Sequence, residues 1–428
     1  MRILQLFHTT IAVVRLLHGC YADDAVADTD SDPDPDALSS DLLEWIRANG
    51  GYINEKLVVR HLVPDDPSSP RGVFATEDMA DGEIVCKIPP NLVVKSDEVR
   101  EDEMEYCNAI EAIANDMTGD NITPYGRYLL SQPEGYTALF WSQAGKNLLE
   151  SMLRSTRPHQ YTSYDELPPH GVNEVLSDLK MNCEGNIDDP LYLKAAMLVM
   201  ARADDDKMVP FYDMINHNNG KRNIQHNIDP WKDKQTFDQR GYEIAIKKAL
   251  RAGDELYLSY NRCDICGDYF DWFGTPEIFL HFGFVESLPQ RWLFDFARVK
   301  FELDWKDGDE NTGKVEANFL VPPSLLGMQL LQEEISRLET FATMNRDKAY
   351  EKFQVSKYEW ESMWQYYDAL HYALFIALQS DDKTLSDDVW NLDDDWWVKD
   401  GTLKATDDLD HYVLPSKLLS DVTFNDEL

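Results

Sequence analysis

Strand-forming sequence occurs in two blocks, and a long stretch of helical periodicity separates them. Residues 71–95 contain two short apolar runs on either side of an Asp-Gly turn signal. Residues 208–260 again alternate apolar and polar positions around a Gly-Asp turn. Between the blocks, residues 97–203 place apolar residues at spacings of three and four, on a helical face that ends near Arg202. The pattern predicts an α+β fold of short sheets with helices between them.

The region after the second strand block is predicted to be mostly helical. Residues 356–359 form a capping box, and Trp360, Trp364 and Tyr367 follow at helical spacing. An aromatic stripe with this period is more often a packing face than a ligand site. Residues 291–428 are therefore assigned to a helical, substrate-binding-like C-terminal domain that ends in an acidic tail.

The charge of the chain excludes some classes of partner. It carries 78 Asp and Glu residues against 40 Lys and Arg, a formal net charge of −38. Nucleic acids and anionic membrane surfaces bind clustered basic residues, so neither is expected as a direct ligand. The acidity is uneven, because residues 23–41, a predicted disordered linker, and residues 381–410 each carry a net charge of −8. An acidic surface attracts a basic protein or peptide.

Both ends of the sequence resemble targeting signals. Residues 1–22 combine an early arginine, a mostly apolar run and small residues at the end, which predicts a signal peptide. The last four residues, 425–428, read Asn-Asp-Glu-Leu and resemble a retention signal of the endoplasmic reticulum. Together they predict the secretory pathway and favour that lumen; an uncleaved N-terminal helix and another compartment are the alternative. No other run of 18 apolar residues occurs, so the mature chain is not expected to insert into a membrane.

The cysteines do not form the pattern of a metal site. Cys263 and Cys266 form a C-x-x-C pair, but a zinc site would need two further ligands at suitable spacing, and no second pair exists. No metal is therefore predicted. A local disulfide between the two, or free loop thiols, both remain open. Six cysteines are too few for a disulfide scaffold in a chain of 428 residues.

Three segments carry residue types that suit chemistry. Residues 71–76 open with Arg-Gly, residues 209–217 end in Asn-His, and residues 253–260 end in a tyrosine. Residues 281–285, His-Phe-Gly-Phe-Val, follow the third segment. Taken singly, each has an ordinary structural explanation, such as a bulge, a turn or a strand end.

In this order and spacing the segments resemble the SET-domain methyltransferases, and most closely the branch typified by the Rubisco large-subunit and actin-histidine methyltransferases. That branch divides its SET fold with a long helical insert and adds a helical substrate-binding domain. The resemblance is best over about residues 45–290. It implies a SET domain over residues 42–290 with a helical insert at about 97–205.

The resemblance also implies roles for particular residues. S-adenosylmethionine would be the cofactor, and the residues that match its contacts are Arg71, Gly72, Phe74, Asp213, Asn216 and His217. Tyr260 matches the catalytic tyrosine, while Arg202 and Phe284 match residues that line the acceptor pocket.

The chain departs from the family pattern at the first turn, where Pro70-Arg71-Gly72 stands in place of the frequent Gly-x-Gly, and at three further positions. Ser69 stands where an acidic cofactor contact is usual, Ala201 replaces a common Ser or Thr, and Asn261 replaces the Gly that usually follows the catalytic tyrosine. Asparagine tolerates positive φ nearly as well as glycine, which would explain the third. These departures leave open a second function, a non-catalytic SET-fold module that binds a protein partner.

Methyl transfer explains why these residue types are needed. It is an in-line displacement by a neutral amine, so the enzyme must align the reactants and manage their charge. A nearby sulfonium would lower the pKa of a lysine acceptor by about three units, since two charges ~4 Å apart repel by about 4 kcal/mol at a dielectric of ~20. Tyr260 would then orient the amine. The sequence predicts a protein N-methyltransferase, with lysine favoured and histidine left open as the acceptor.

Overall fold

The computed structural model describes residues 35–380, with gaps at 65, 67–68, 95–104, 120, 133–136, 155–166, 173, 184, 205–206, 227–240, 262–272 and 307–312. Several predictions fall outside the described residues: the signal peptide at 1–22, the retention-like end, the acidic tail, and the state of Cys263 and Cys266. No helix within the described ranges is long and apolar enough to cross a membrane.

The strands are short, as the two sequence blocks predict. They are β1 (Tyr52–Ile53), β2 (Leu57–His61), β3 (Arg71–Ala75), β4 (Ile84–Ile88), β5 (Asn216–His217), β6 (Ile224–His226), β7 (Tyr242–Ile246), β8 (Tyr257–Leu258), β9 (Gln290–Phe294), β10 (Val299–Lys306) and β11 (Lys314–Phe319). The helices are α1 (Pro35–Ala48), α2 (Glu105–Thr118), α3 (Pro124–Leu130), α4 (Gln143–Leu153), α5 (Glu174–Asn182), α6 (Pro190–Arg202), α7 (Thr275–Phe282), α8 (Leu325–Asn345) and α9 (Lys357–Gln379).

The two strand blocks meet in one sheet across the helical insert. Its strand order is β1-β4-β7-β6, and β4 pairs antiparallel with β7 through partners such as Ile88 and Tyr242. Two smaller sheets lie beside it, an antiparallel β2-β3 pair and a parallel β5-β8 pair. This arrangement confirms the predicted fold of short sheets divided by helices.

The linker boundary predicted at residue 41 is wrong, because α1 begins at Pro35. Leu38, Leu42 and Ile46 are buried and recur every four residues, which places them on one face of the helix. An apolar stripe of this kind gains enough by burial to order the end of an otherwise acidic segment.

A disulfide joins two parts of the helical insert. Cys107 on α2 is bonded to Cys183, which directly follows α5, and the two are 76 residues apart. Both are buried beside helix α6, whose Ala195 and Leu198 belong to the same core as the strands. The sequence did not indicate this pair.

The C-terminal region begins with a sheet that the prediction of a mostly helical domain did not specify. Strands β9, β10 and β11 form this antiparallel sheet in the order β11-β10-β9. Helices α8 and α9 then follow, in agreement with the helical period. The aromatic stripe packs as predicted, with Trp364 and Tyr367 buried in the core of this region.

Candidate active site

The first two predicted segments meet at Asn216. Its side-chain amide donates to the backbone carbonyl of Arg71 and to the Oε1 atom of Glu255, at 2.8 Å each. Gly72 makes this approach possible, because a Cβ on it would overlap the Glu255 carboxylate and lie 3.0 Å from the Asn216 amide nitrogen. Tyr257 donates its hydroxyl to the other oxygen of Glu255 at 2.5 Å. The Asn216 amide and the Glu255 carboxylate together link strands β3, β5 and β8.

Tyr260 directly follows this cluster along the chain. Its hydroxyl donates to the backbone carbonyl of Ile215 over 3.1 Å, and its ring lies 4.6 Å from the ring of Phe282 and 5.0 Å from that of His217. Burial raises the pKa of Tyr260 to about 12. At neutral pH the side chain is therefore a neutral hydroxyl, suited to positioning a substrate and unsuited to removing a proton.

The His217 side chain binds the backbone of Tyr260. Its Nδ1 atom accepts the backbone N–H of Tyr260 at 2.9 Å, and its Nε2 atom lies 2.8 Å from the carboxylate of Glu286. The ring also contacts Phe284, with centroids 5.8 Å apart. Both ring nitrogens are thus engaged, which leaves only the backbone of His217 for the predicted cofactor contact.

The buried Asp213 and the partly buried Arg202 form a charged pair close to Tyr260. The Arg202 guanidinium donates to the backbone carbonyl of Asp213 at 3.0 Å and lies 3.9 Å from its Oδ2 atom, which also accepts the Tyr125 hydroxyl at 3.1 Å. The Oδ1 atom is buried with no hydrogen-bond partner among the described residues. Burial raises the pKa of Asp213 to about 6, although Arg202 and Tyr125 oppose that shift.

Two predicted cofactor residues turn their side chains elsewhere. The guanidinium of Arg71 reaches Ser39 on α1 at 3.3 Å, so only its backbone meets Asn216. The ring of Phe74 lies under the guanidinium of Arg60, 3.5 Å from it. The fold brings the other predicted residues together around Tyr260 and Asn216. These residues are Gly72, Asp213, His217, Arg202 and Phe284.

Some residues of the site were not predicted. Glu255 lies within the third segment, and Phe282 and Glu286 lie in or directly after the segment at residues 281–285. These residues therefore lie in or beside segments that the sequence had already indicated, but only the folded chain shows which side chains face Tyr260. Tyr125 lies on helix α3, outside the segments at residues 71–76, 209–217, 253–260 and 281–285.

The departures from the family pattern have local explanations in the structure. The buried Ser69 hydroxyl accepts the backbone N–H of Val63 at 3.1 Å and closes a loop. Asn261 lies outside the left-handed region, so tolerance of positive φ does not explain it. Instead its buried side-chain amide donates to both oxygens of Glu286, at 2.8 and 2.9 Å. We find no structural account of Ala201.

Part of the sequence matches a family model. Residues 70–261 match the model of the SET domain. That stretch of the chain is a SET domain. The matched range begins just before β3 and ends directly after Tyr260, so it encloses the helical insert.

The sequence is similar, at low identity, to other proteins. An uncharacterized protein of Schizosaccharomyces pombe is 22% identical over 302 residues, which cover 61% of this chain; the chain spans 58% of the length of that relative. The solved SET domain of LSMT bound to lysine and AdoHcy is 12% identical, with a TM-score of 0.45, over 80% of this chain and 92% of that one. Rubisco LSMT bound to AdoMet is 12% identical, with a TM-score of 0.44, over 79% and 91%.

Proposed function

We propose that the SET domain transfers a methyl group from S-adenosylmethionine to a nitrogen of a protein side chain, with lysine as the acceptor. The observation that carries the proposal is the position of the Tyr260 hydroxyl. It lies on the Ile215 carbonyl, directly after the cluster in which Asn216 joins Arg71 and Glu255. The family match of residues 70–261 supports methyl transfer as the chemistry.

The residues present fit such a cofactor. S-adenosylmethionine supplies an electrophilic methyl group on a positively charged sulfur. Oxygen acceptors suit a cation, and the Tyr260 hydroxyl and the Ile215 carbonyl that it contacts are two such acceptors. The backbone of Arg71 and Gly72, held against Asn216, would bind the cofactor.

Tyr260 would orient the acceptor. Its hydroxyl donates its only proton to Ile215, so its lone pairs can accept an N–H from the incoming amine. Accepting that N–H turns the nitrogen lone pair in a defined direction, as an in-line displacement requires. With a pKa of about 12, Tyr260 keeps its own proton at neutral pH, so the acceptor proton must leave by another route.

The acidic charge of the chain favours lysine over histidine as the acceptor. A lysine enters as an ammonium, whereas a histidine is mostly neutral near pH 7. The excess of acidic residues would attract a basic protein or peptide to the same site.

The test is transfer of labelled methyl from S-adenosylmethionine to lysine-rich peptides and to lysate proteins. We expect Tyr260→Phe to keep cofactor affinity and to lose about 100-fold or more in turnover, the range seen when one positioned donor or acceptor is removed. Tyr372→Phe, a half-buried tyrosine of α9, is the matched control. Turnover close to that of the parent would remove Tyr260 from the catalytic role.

Cofactor binding is measured separately by calorimetry. Asn216→Ala should weaken it, since the loss of two hydrogen bonds frees strand β5 from Arg71 and Glu255. Unchanged affinity would show that Asn216 does not organise the cofactor site. A parent protein that binds the cofactor but methylates nothing would instead support the non-catalytic interaction module.

We also propose that the protein works in an oxidising compartment of the secretory pathway. The Cys107–Cys183 disulfide supports this, because disulfides persist in such compartments and are rare in the cytosol. Localisation of the tagged full-length chain by microscopy, with a free-thiol assay of the purified protein, tests it. A cytosolic chain with reduced Cys107 would contradict the proposal.

A further inference from the structure

Glu286 is a buried carboxylate on which several segments converge. It is 3% exposed and directly follows the aromatic wall residue Phe284 and Val285. It accepts hydrogen bonds from the Asn219 amide at 2.7 Å, from His217 at 2.8 Å and from the hydroxyl of Thr275 at the start of α7. No described Lys or Arg lies within ion-pair distance of it. Such a carboxylate is retained only where its hydrogen bonds are made.

The hydrogen bonds of Glu286 reach three consecutive residues around the catalytic position. Asn261 is bound directly, through both carboxylate oxygens. Tyr260 is reached through His217, which accepts its backbone N–H. Ser259 is reached through Asn219, whose Oδ1 atom accepts the Ser259 hydroxyl at 2.7 Å. One side chain thus anchors the residues before, at and after the tyrosine.

The network also determines which nitrogen of His217 carries the proton. The Nδ1 atom accepts the N–H of Tyr260 and so must be unprotonated. The proton is therefore on Nε2, and it faces the Glu286 carboxylate. A carboxylate can only accept at that point, so it selects this tautomer of the ring.

We propose that Glu286 is a positioning residue, which fixes the tautomer of His217 and thereby the backbone of Tyr260 beneath the reacting amine. It touches neither cofactor nor acceptor and acts only through the residues it binds. This inference rests on the proposed methyl transfer, because it assigns a purpose to the placement of the Tyr260 hydroxyl on Ile215.

The test compares Glu286→Gln with Glu277→Gln. Glutamine keeps the shape at residue 286 but replaces one acceptor oxygen with an NH₂ group, which conflicts with the donors around it. The control, Glu277, is a half-buried carboxylate on α7 that caps the N–H of Gly274 at 2.7 Å and does not contact His217. We expect kcat of Glu286→Gln to fall at least tenfold more than that of Glu277→Gln, with cofactor affinity and KM changed less than threefold, since small misplacements act on turnover.

Imidazole ¹⁵N NMR measures which ring nitrogen of His217 is protonated, which would not change if Glu286 only stabilised the fold. The parent should show His217 protonated on Nε2, and Glu286→Gln should show a mixture with the other tautomer. Glu286→Asp keeps an acceptor of the same charge and should restore the Nε2 form and part of kcat. If the parent shows Nδ1 protonated, the inference is overturned even when no variant folds.

The inference and the proposed function fail in different ways. A parent that methylates nothing overturns the proposed function, while the NMR spectrum still decides whether Glu286 selects the tautomer. If the parent is active and Glu286→Gln keeps both the Nε2 form and the kcat of the Glu277→Gln control, the positioning role is wrong.

Discussion

Replacing Asp213 with asparagine should stabilise the protein at neutral pH. The side chain of Asp213 is fully buried, and burial raises its pKa from 3.8 to about 6. The folded state therefore holds the proton more tightly than the unfolded state does. A shift of about two units corresponds to about 3 kcal/mol by which the ionised carboxylate destabilises the fold.

The sign of the pH dependence follows from that shift. Because the pKa is higher in the folded state, the stabilising contribution of the protonated form is complete below about pH 4 and is lost as the pH rises through about 6. Asparagine does not titrate, so the difference in unfolding free energy between variant and parent should grow between pH 4 and pH 6. At pH 7.5 the variant should be more stable by up to about 3 kcal/mol.

Urea unfolding of both proteins from pH 4 to pH 8 measures this difference, and the other titrating groups cancel in the comparison. Asp188→Asn is the control, because the Asp188 side chain is 79% exposed and should leave the pH profile unchanged. A variant that is no more stable than the parent at pH 7.5 would refute the reasoning.

Two further predictions concern the framework of the site. Gly72→Ala should displace the Glu255 carboxylate and break its hydrogen bond to Asn216, which should lower the unfolding free energy by about 1.5–3 kcal/mol. A crystal structure of the variant with that hydrogen bond intact would contradict this. Replacing Cys107 and Cys183 with alanine should cost about 4 kcal/mol, as expected for a crosslink between residues 76 apart, and reductant should affect the parent but not the double variant.

Alternating apolar residues, turn residues and a helix cap predicted several strands and the last helix. Strands β3, β4 and β7 follow from alternation and turn residues, and the helix at 357–379 follows from its cap and aromatic stripe. The sheet at 290–319 shows the same alternation, because Val299, Phe301 and Leu303 are buried at every second position. This alternation was not recognised, since the region was predicted to be mostly helical.

The disulfide and the charged pair depend on the fold as a whole. Cys107 and Cys183 meet only because helix α2 packs near the end of α5, and nothing in either neighbourhood indicates the other. In the same way, Tyr125 reaches Asp213 from 88 residues away. Resemblance to a family identified Asp213, Asn216 and Tyr260, but the direction of each side chain depends on packing that no local pattern records.

Asn261 replaces the usual glycine with a side chain that needs hydrogen-bond partners. A glycine after the tyrosine carries no side chain to satisfy, whereas an asparagine that is 1% exposed carries an amide that would cost about 1–3 kcal/mol if left without partners. Glu286 supplies the partner, and the same carboxylate holds His217 and, through it, Tyr260. The asparagine therefore adds a hydrogen-bonded link between Glu286 and the residue after Tyr260, so this departure supports the proposed role of Tyr260 over a degenerate, non-catalytic site.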